Sequence, residues 1–300
     1  MNATKLLTMT SLFDFSAPAV AELARLDAAR ALQEDVGAGD LTAGLIDPTR
    51  RARAHILARE AAVLCGVPWA QAALQQLDPT AHFDWRVQEG QRCAADQVVL
   101  EIEGSARALL TAERTALNFL QLLSAVATKT AEYAAAVQSV PGSRAQIVDT
   151  RKTLPGLRLA QKYAVRAGGG TNHRLGLYDA LLIKENHIAA AGGVAAVLRR
   201  AAVLAPEAKF VEIEVETLAQ LKEALDAGAG MVLLDNMSLA QLQEAVQLNA
   251  GRAVLEVSGG VNLSTVRAIA STGVDRISIG ALTKDVKAID FSMRFSPDPL

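Results

Sequence analysis

Over residues 146–281, short apolar runs alternate with stretches whose apolar positions recur at helical spacing. The runs are Gln146 to Thr150, Asp179 to Lys184, Phe210 to Glu216, Met231 to Asn236, Ala253 to Ser258 and Arg276 to Ala281. Each gap between them has room for a helix, which is the pattern of repeated parallel crossovers. Ala195 to Leu204, Thr217 to Ala227, Leu239 to Leu248 and Leu263 to Ala270 carry helical periodicity, with Thr217, Ser238 and Asn262 as expected N-caps. Neither end of the series has a proline or a lysine-rich strand to blunt an edge, so the pattern predicts a closed α/β barrel rather than an open sheet.

The N-terminal part is patterned differently. A helical segment at Ala19 to Gln33 and another near Pro68 to Leu77 accompany β-like runs at Ala52 to Ala58, Phe83 to Val87 and Gln97 to Ile102, which predicts an α+β domain with a small sheet. A long helical pattern from about Leu109 to Val137 then leads into the barrel-forming part, through Leu110, Leu117, Leu120, Leu123 and Val126. The chain shows no internal repeat, low-complexity segment or flexible linker.

Composition narrows the class of partner. With 300 residues, half of them apolar, the chain can bury a large core, and a net charge of −2 gives no reason to expect nucleic acid as the main partner. Cys65 and Cys93 are too few for a disulfide framework and lack metal-ligand spacing, so buried thiols in a reducing cytoplasm are expected. Lys5-Leu6-Leu7 onward does not read as a secretory signal, and no stretch approaches the ~18 uncharged apolar residues that span a bilayer. A soluble protein is expected.

Charge is nevertheless uneven. From Asp149 to His187 there are seven Lys or Arg against three Asp or Glu, whereas the other 261 residues carry 23 against 29. Four of these cations lie in Asp149-Thr150-Arg151-Lys152-Thr153, in Gly168-Gly169-Gly170-Thr171-Asn172-His173-Arg174 and in Leu182-Ile183-Lys184-Glu185-Asn186-His187, at strand ends and in a glycine-rich loop. An α/β protein places ligand-binding side chains there, so the basic segment reads either as a pocket for a small, multiply anionic ligand or as a solvated basic face.

The alternation in Val211-Glu212-Ile213-Glu214-Val215-Glu216 puts three carboxylates on one face of a strand. A barrel strand covered by helices has no wet outer face, so these glutamates are expected inside the barrel with cations, a metal or ligand hydroxyls. Asp235 repeats the arrangement on the next strand. Ser258-Gly259-Gly260 reads as a strand opening through glycines into a helix, and Ile279-Gly280-Ala281 as a second small-residue strand end. Two successive final loops of this kind are a common barrel phosphate site. Arg114 lies on a helix, where an ion pair with Glu113 is the plain reading. His173 taken alone reads as a hydrogen-bonded structural histidine, and no spacing suggests zinc.

Together, Thr111 to Asn118, Asp149 to Thr153, Gly168 to Arg174, Ile183 to Ile188, Leu234 to Asn236 and Ser258 to Gly260 resemble the quinolinate phosphoribosyltransferase family; Glu34-Asp35, Gly39 to Thr42 and Arg59-Glu60 to Gly66 extend the likeness. The resemblance implies an incomplete, about six-stranded α/β barrel beside an N-terminal α+β domain, with the C-terminal tail returning to that domain. The expected division is residues 1–117 with tail 286–300, and 118–285. It implies that quinolinate and phosphoribosyl pyrophosphate give nicotinate mononucleotide, pyrophosphate and CO2, with Mg²⁺, in a homodimer that shares its sites.

On the same basis Arg151, His173 and Arg174 hold the dicarboxylate, and Arg114 reaches in from the partner subunit. Lys152, with Thr153 beside it, and Lys184 face the anionic pocket and the pyrophosphate. Glu214 and Asp235 hold the ribose hydroxyls and the Mg²⁺-bound cosubstrate. Ser258, Gly259 and Gly260, with Ile279, Gly280 and Ala281, take its phosphate. The residues also leave open a related phosphoribosyltransferase with another acceptor, such as relatives associated with molybdate transport, a Schiff-base aldolase using Lys184, and a catalytically silent anion-binding protein.

Overall fold

The computed structural model describes residues 13–296; the Lys5-Leu6-Leu7 stretch and the last four residues of the expected tail lie outside them. The first of two compact units contains the described residues up to Ala127 and those from Lys287 onward. Its elements are α1 (Ala17–Val36), β1 (Arg51–Ala58), β2 (Ala62–Val63), α2 (Val67–Leu77), β3 (His82–Trp85), β4 (Arg92–Cys93), β5 (Gln97–Ser105) and the beginning of α3 (Ala106–Gln138). The division between the units falls within α3.

An antiparallel sheet in the order β12, β1, β5, β3 forms this unit, and β12 is Phe291–Phe295 from the C-terminal tail. Period two governs β1: Ala54, Ile56 and Ala58 are buried while Arg51 and Arg53 are exposed. Trp69 of α2 is buried and donates its indole N–H to Asp27 of α1 at 3.0 Å. Cys65 and Cys93 are buried free thiols whose acidity burial suppresses.

The second unit runs from Thr128 to Val286. Its elements are β6 (Gln146–Val148), α4 (Arg158–Ala167), β7 (Leu181–Ile183), α5 (Glu185–Ala191), α6 (Val194–Leu204), β8 (Val211–Val215), α7 (Leu218–Asp226), β9 (Met231–Asp235), α8 (Leu239–Asn249), β10 (Val254–Ser258), α9 (Val266–Ala270), β11 (Arg276–Ser278) and α10 (Ala281–Lys284). All six apolar runs are strands, joined in parallel in the order β6, β11, β10, β9, β8, β7. Thr217 and Ser238 cap α7 and α8 through reciprocal contacts with Gln220 and Gln241. Asn262 instead accepts from Ser264 and Thr265 in a turn, and α9 starts only at Val266.

Among the described residues the ladder does not close from β7 to β6. The outer edge of β6 is taken by Thr171, whose N–H donates to Ile147 and whose carbonyl accepts from Asp149, so the chain leaving α4 occupies the place closure would need. The sheet is still strongly curled. His173, beside β6 at one end of the strand order, hydrogen-bonds Glu212 on β8 near the other, and a flat sheet could not bring them together. The incomplete barrel therefore stands, and the closed one does not.

Candidate functional site

Strand register dictates what lines the barrel mouth. Glu214 on β8 stands opposite Leu233 on β9, Leu233 opposite Glu256 on β10, and Glu256 opposite Arg276 on β11. Asp235 is paired in the same way with Ser258, one layer nearer the strand ends. A cavity of about 850 Å³ opens over these residues. Its walls, all from the second unit, include Arg151, Lys152, His173, Arg174 and Lys184, and the loops at Ser258–Gly260 and Ile279–Ala281. The structure thus gathers the basic segment, the acidic strand ends and both glycine loops around one cavity.

Thr153 is not among its lining residues; its hydroxyl accepts from Arg158. Arg114 belongs to the first unit and is exposed on α3. Glu216, expected inside the barrel with its neighbours, is exposed, because β8 ends at Val215 and Glu216 lies in the turn where Gln220 caps its N–H. Gly259 and Gly260 have φ values of +98° and +61°, and the chain passes through a turn before α9 begins, so a loop rather than a helix start faces the cavity. A Cβ at Gly280 would press on the Lys152 stem, at 3.0 Å from its Cδ.

The basic loop is held from beneath by a buried pair. Lys162 of α4 and Asp149 are fully buried and joined by a short ion pair. Asp149 also accepts from Asn172 at 2.6 Å and from the His173 N–H at 2.9 Å, while Lys162 donates to the His173 carbonyl at 3.3 Å. Burial raises the Asp149 carboxyl and lowers the Lys162 ammonium, each opposed by the other's charge. Breaking one side of such a pair typically costs about 3–5 kcal/mol, so it anchors the loop that carries His173 and Arg174. The sequence alone marks Lys162 as one more basic residue of the segment, and only the fold shows it inside.

The His173 ring is committed at both nitrogens. Nδ1 accepts the Arg174 backbone N–H at 2.8 Å, so the proton sits on Nε2, which lies 2.8 Å from Glu212 and 3.5 Å from Glu256. Burial holds the ring below its ordinary value and favours this neutral form. No ring nitrogen is left for a ligand carboxylate, the role expected for His173.

Arg151 and Arg174 face the cavity without an ion pair among the described residues, and the Arg151 Nε is buried with no hydrogen-bond partner. Burial, then the charge of Arg151, pulls the Arg174 guanidinium below its usual value. Asp179 and Glu212 oppose that shift from a distance, and the two crowded guanidiniums have the fork geometry that suits carboxylates. Across the mouth, Lys184 lies 3.1 Å from Glu214, and Asp235 accepts from Asn236 at 2.8 Å.

Glu212 is fully buried, and burial pushes its carboxyl up to about 7; Glu214 adds to the rise, while Arg276 and Arg174 oppose it. The fold therefore favours the protonated form. Its contribution is complete below the ordinary value of 4.5 and is lost as pH rises through about 7. The loss is on the order of 3 kcal/mol. Glu212→Gln keeps an acceptor for His173 and removes the titration, so its melting temperature should gain on the wild type as pH rises from about 5 to 8. A difference that stays flat over this range would contradict the buried-acid assignment.

Such a fold and site define an α/β-barrel protein whose barrel-mouth cavity is lined by cations, acidic groups and two glycine loops. The family description "Quinolinate phosphoribosyl transferase, C-terminal domain" matches residues 126–294, and its N-terminal counterpart matches residues 40–124. This chain belongs to the quinolinate phosphoribosyltransferase family. The solved nicotinate-nucleotide pyrophosphorylase from Francisella tularensis is 43% identical and superposes with a TM-score of 0.88, over 92% of this chain and 97% of that one. The probable nicotinate-nucleotide pyrophosphorylase (carboxylating) of Bacillus subtilis is 40% identical over 260 residues, 87% of this chain and 89% of that protein. Quinolinate phosphoribosyltransferase (decarboxylating) 2a, mitochondrial, of Nicotiana tabacum is 39% identical over 288 residues, 89% of this chain and 81% of that one.

Proposed function

We propose that this protein transfers a phosphoribosyl group from phosphoribosyl pyrophosphate to quinolinate, with loss of CO2, giving the nicotinate mononucleotide and pyrophosphate used in NAD synthesis. The observation that carries this reading is the Arg151–Arg174 pair, without an ion pair among the described residues, on the wall of a cavity that also carries Glu214, Asp235 and the two glycine loops.

Arg151 and Arg174 clamp the adjacent carboxylates of quinolinate, which turns the pyridine nitrogen toward the ribose. His173 acts by holding the Arg174 backbone. Ser258–Gly260 and Ile279–Ala281 receive the phosphate, and Glu214 and Asp235 hold the ribose hydroxyls. Their carboxylates also stabilise the positive charge that grows on the ring carbon as pyrophosphate leaves, while Lys152 and Lys184 stabilise the departing anion. Attack by nitrogen leaves a quaternary pyridinium, and that charge accepts the electron pair released when the adjacent carboxylate departs as CO2. The resulting carbon takes up a proton, which balances the step. Magnesium is a hard cation, and the carboxylate oxygens of Glu214 and Asp235 at the cavity wall fit it. When bound with the cosubstrate it supplies charge neutralisation for the pyrophosphate.

The aldolase alternative is disfavoured by Lys184 itself, which is exposed and paired with Glu214 rather than desolvated as an amine nucleophile must be. Two free, buried thiols support a reducing cytoplasm as the compartment, and among the described residues no single helix is long and apolar enough to cross a membrane. The direct test is pyrophosphate release with quinolinate and, separately, with nicotinate. Release with quinolinate alone is expected; equal release with nicotinate would overturn the dicarboxylate reading, and none with either would reject the activity.

The working unit in this reading is a homodimer in which Arg114 enters the partner's site. Mixing inactive Arg114→Ala with inactive Arg151→Ala under subunit exchange then gives heterodimers with one complete site. Activity should recover to about a quarter of wild type, since roughly half the dimers are mixed and each holds one complete site. Confirmed exchange without recovery would reject the shared site.

A further inference from the structure

The floor of the cavity carries a charged layer whose internal pairing substrate binding does not explain. Glu212 and Glu256 are fully buried on the inner barrel face, and each has an Oε1 with no hydrogen-bond partner. The cation that faces them is Arg276, whose Nε donates to Glu256 Oε2 at 2.7 Å across the β10–β11 pair. Above them His173 places Nε2 at 2.8 Å from Glu212 and 3.5 Å from Glu256, and its Nδ1 takes the backbone N–H of Arg174. With the ring neutral, the guanidinium paired within this layer is that of Arg276, on Glu256. Arg174, the next cation along the chain, is the group that excess negative charge would draw down from the cavity wall.

We propose that Arg276 is a positioning residue for quinolinate recognition. By compensating Glu256 it keeps that buried carboxylate from capturing the Arg174 guanidinium, and it holds Glu256 beside the His173 ring that fixes the Arg174 backbone. Arg276 itself touches no substrate. The inference rests on the reading that Arg151 and Arg174 bind the dicarboxylate. It adds that their availability is set two strands away by a buried ion pair, because a buried carboxylate left unpaired recruits the nearest cation.

The test is a set of variants measured by quinolinate titration in a calorimeter and by steady-state kinetics. Arg276→Met should weaken quinolinate binding and raise its KM by at least about tenfold, with the KM for phosphoribosyl pyrophosphate nearly unchanged. Arg276→Lys, which keeps the charge, should recover most of the loss. The double variant Arg276→Met with Glu256→Gln should also recover toward wild type, because it removes the carboxylate that Arg276 pairs with. A purely structural role predicts the opposite for this double variant, which would be no better than Arg276→Met and would weaken both substrates alike.

Quinolinate binding within twofold of wild type in Arg276→Met, or a folded double variant with no recovery, overturns the proposal. If Arg276→Met does not fold, the double variant decides: folded with near-normal quinolinate affinity supports it, and folded with the tenfold loss, or unfolded, rejects it. Failure of the wild type to bind quinolinate would reject the functional reading instead, so the two failures are distinguishable.

Discussion

Arg174→Ala and Arg151→Ala should each lower kcat/KM for quinolinate by about 10- to 150-fold, the equivalent of one lost charge-assisted carboxylate contact at ~1.5–3 kcal/mol. The KM for phosphoribosyl pyrophosphate should move far less, because its phosphate and ribose are assigned to the two glycine loops and to Glu214 and Asp235. The asymmetry follows from the site: Arg174 and Arg151 crowd each other on one wall with no ion pair among the described residues, and Asp179 and Glu212 act on Arg174 only at longer range, so both guanidiniums have hydrogen-bonding capacity left for a ligand. Arg174 should show the larger effect. It is the more buried, and removing it also leaves Glu212 without one of the charges that oppose its protonation. Steady-state kinetics with each substrate varied in turn checks this; equal losses for both substrates would contradict the assignment of the arginines to quinolinate.

Gly259→Ala should damage the other half of the site. Gly259 sits at φ +98°, a conformation L side chains rarely adopt, and its Cβ would fall against the Asn236 side chain, 2.7 Å from Cγ and 3.1 Å from the Asn236 backbone nitrogen. Asn236 cannot simply swing away. Its own backbone is left-handed at φ +55°, its N–H donates to the Ser258 carbonyl, and its side chain donates to Asp235. The added methyl must therefore displace either the phosphate-facing loop or the support of Asp235. Phosphoribosyl pyrophosphate affinity should fall by at least about tenfold, given strain of roughly 1–2 kcal/mol in the backbone together with the lost geometry. Quinolinate binding in the absence of cosubstrate should survive. Calorimetry with each ligand separates the two, and an unchanged cosubstrate affinity would remove Gly259 from the phosphate site.

Much of the barrel was legible because its strands are short, apolar and evenly spaced, and because parallel strands buried on both faces leave few other readings. The element ends moved by one to three residues, as at β6, where the run to Thr150 ends at Val148 once the chain turns to present Arg151. The helix α5 was hidden by its sequence, since Glu185-Asn186-His187 follows a β-like run and has no periodicity of its own. Lys184 and Glu214 were recognisable as site residues, but the 3.1 Å pairing between them depends on the adjacency of β7 and β8.

What the sequence determines by itself is local: which segments are strands, which helices follow, and where cations, carboxylates and glycines cluster along the chain. It also carries the family likeness. The partner of each buried charge is decided only by tertiary structure. Glu212 and Glu216 look equivalent in Val211 to Glu216, yet one is sealed in the barrel and the other is exposed, because the strand ends between them. His173 reads as a ligand-binding histidine by resemblance, but curling of the sheet commits its ring to Glu212 and to the backbone of Arg174. Lys162, Glu256 and Arg276 carry no motif at all. Their importance comes from burial, where a charge must find a partner, and that partner lies on another strand or helix that the linear sequence does not bring near.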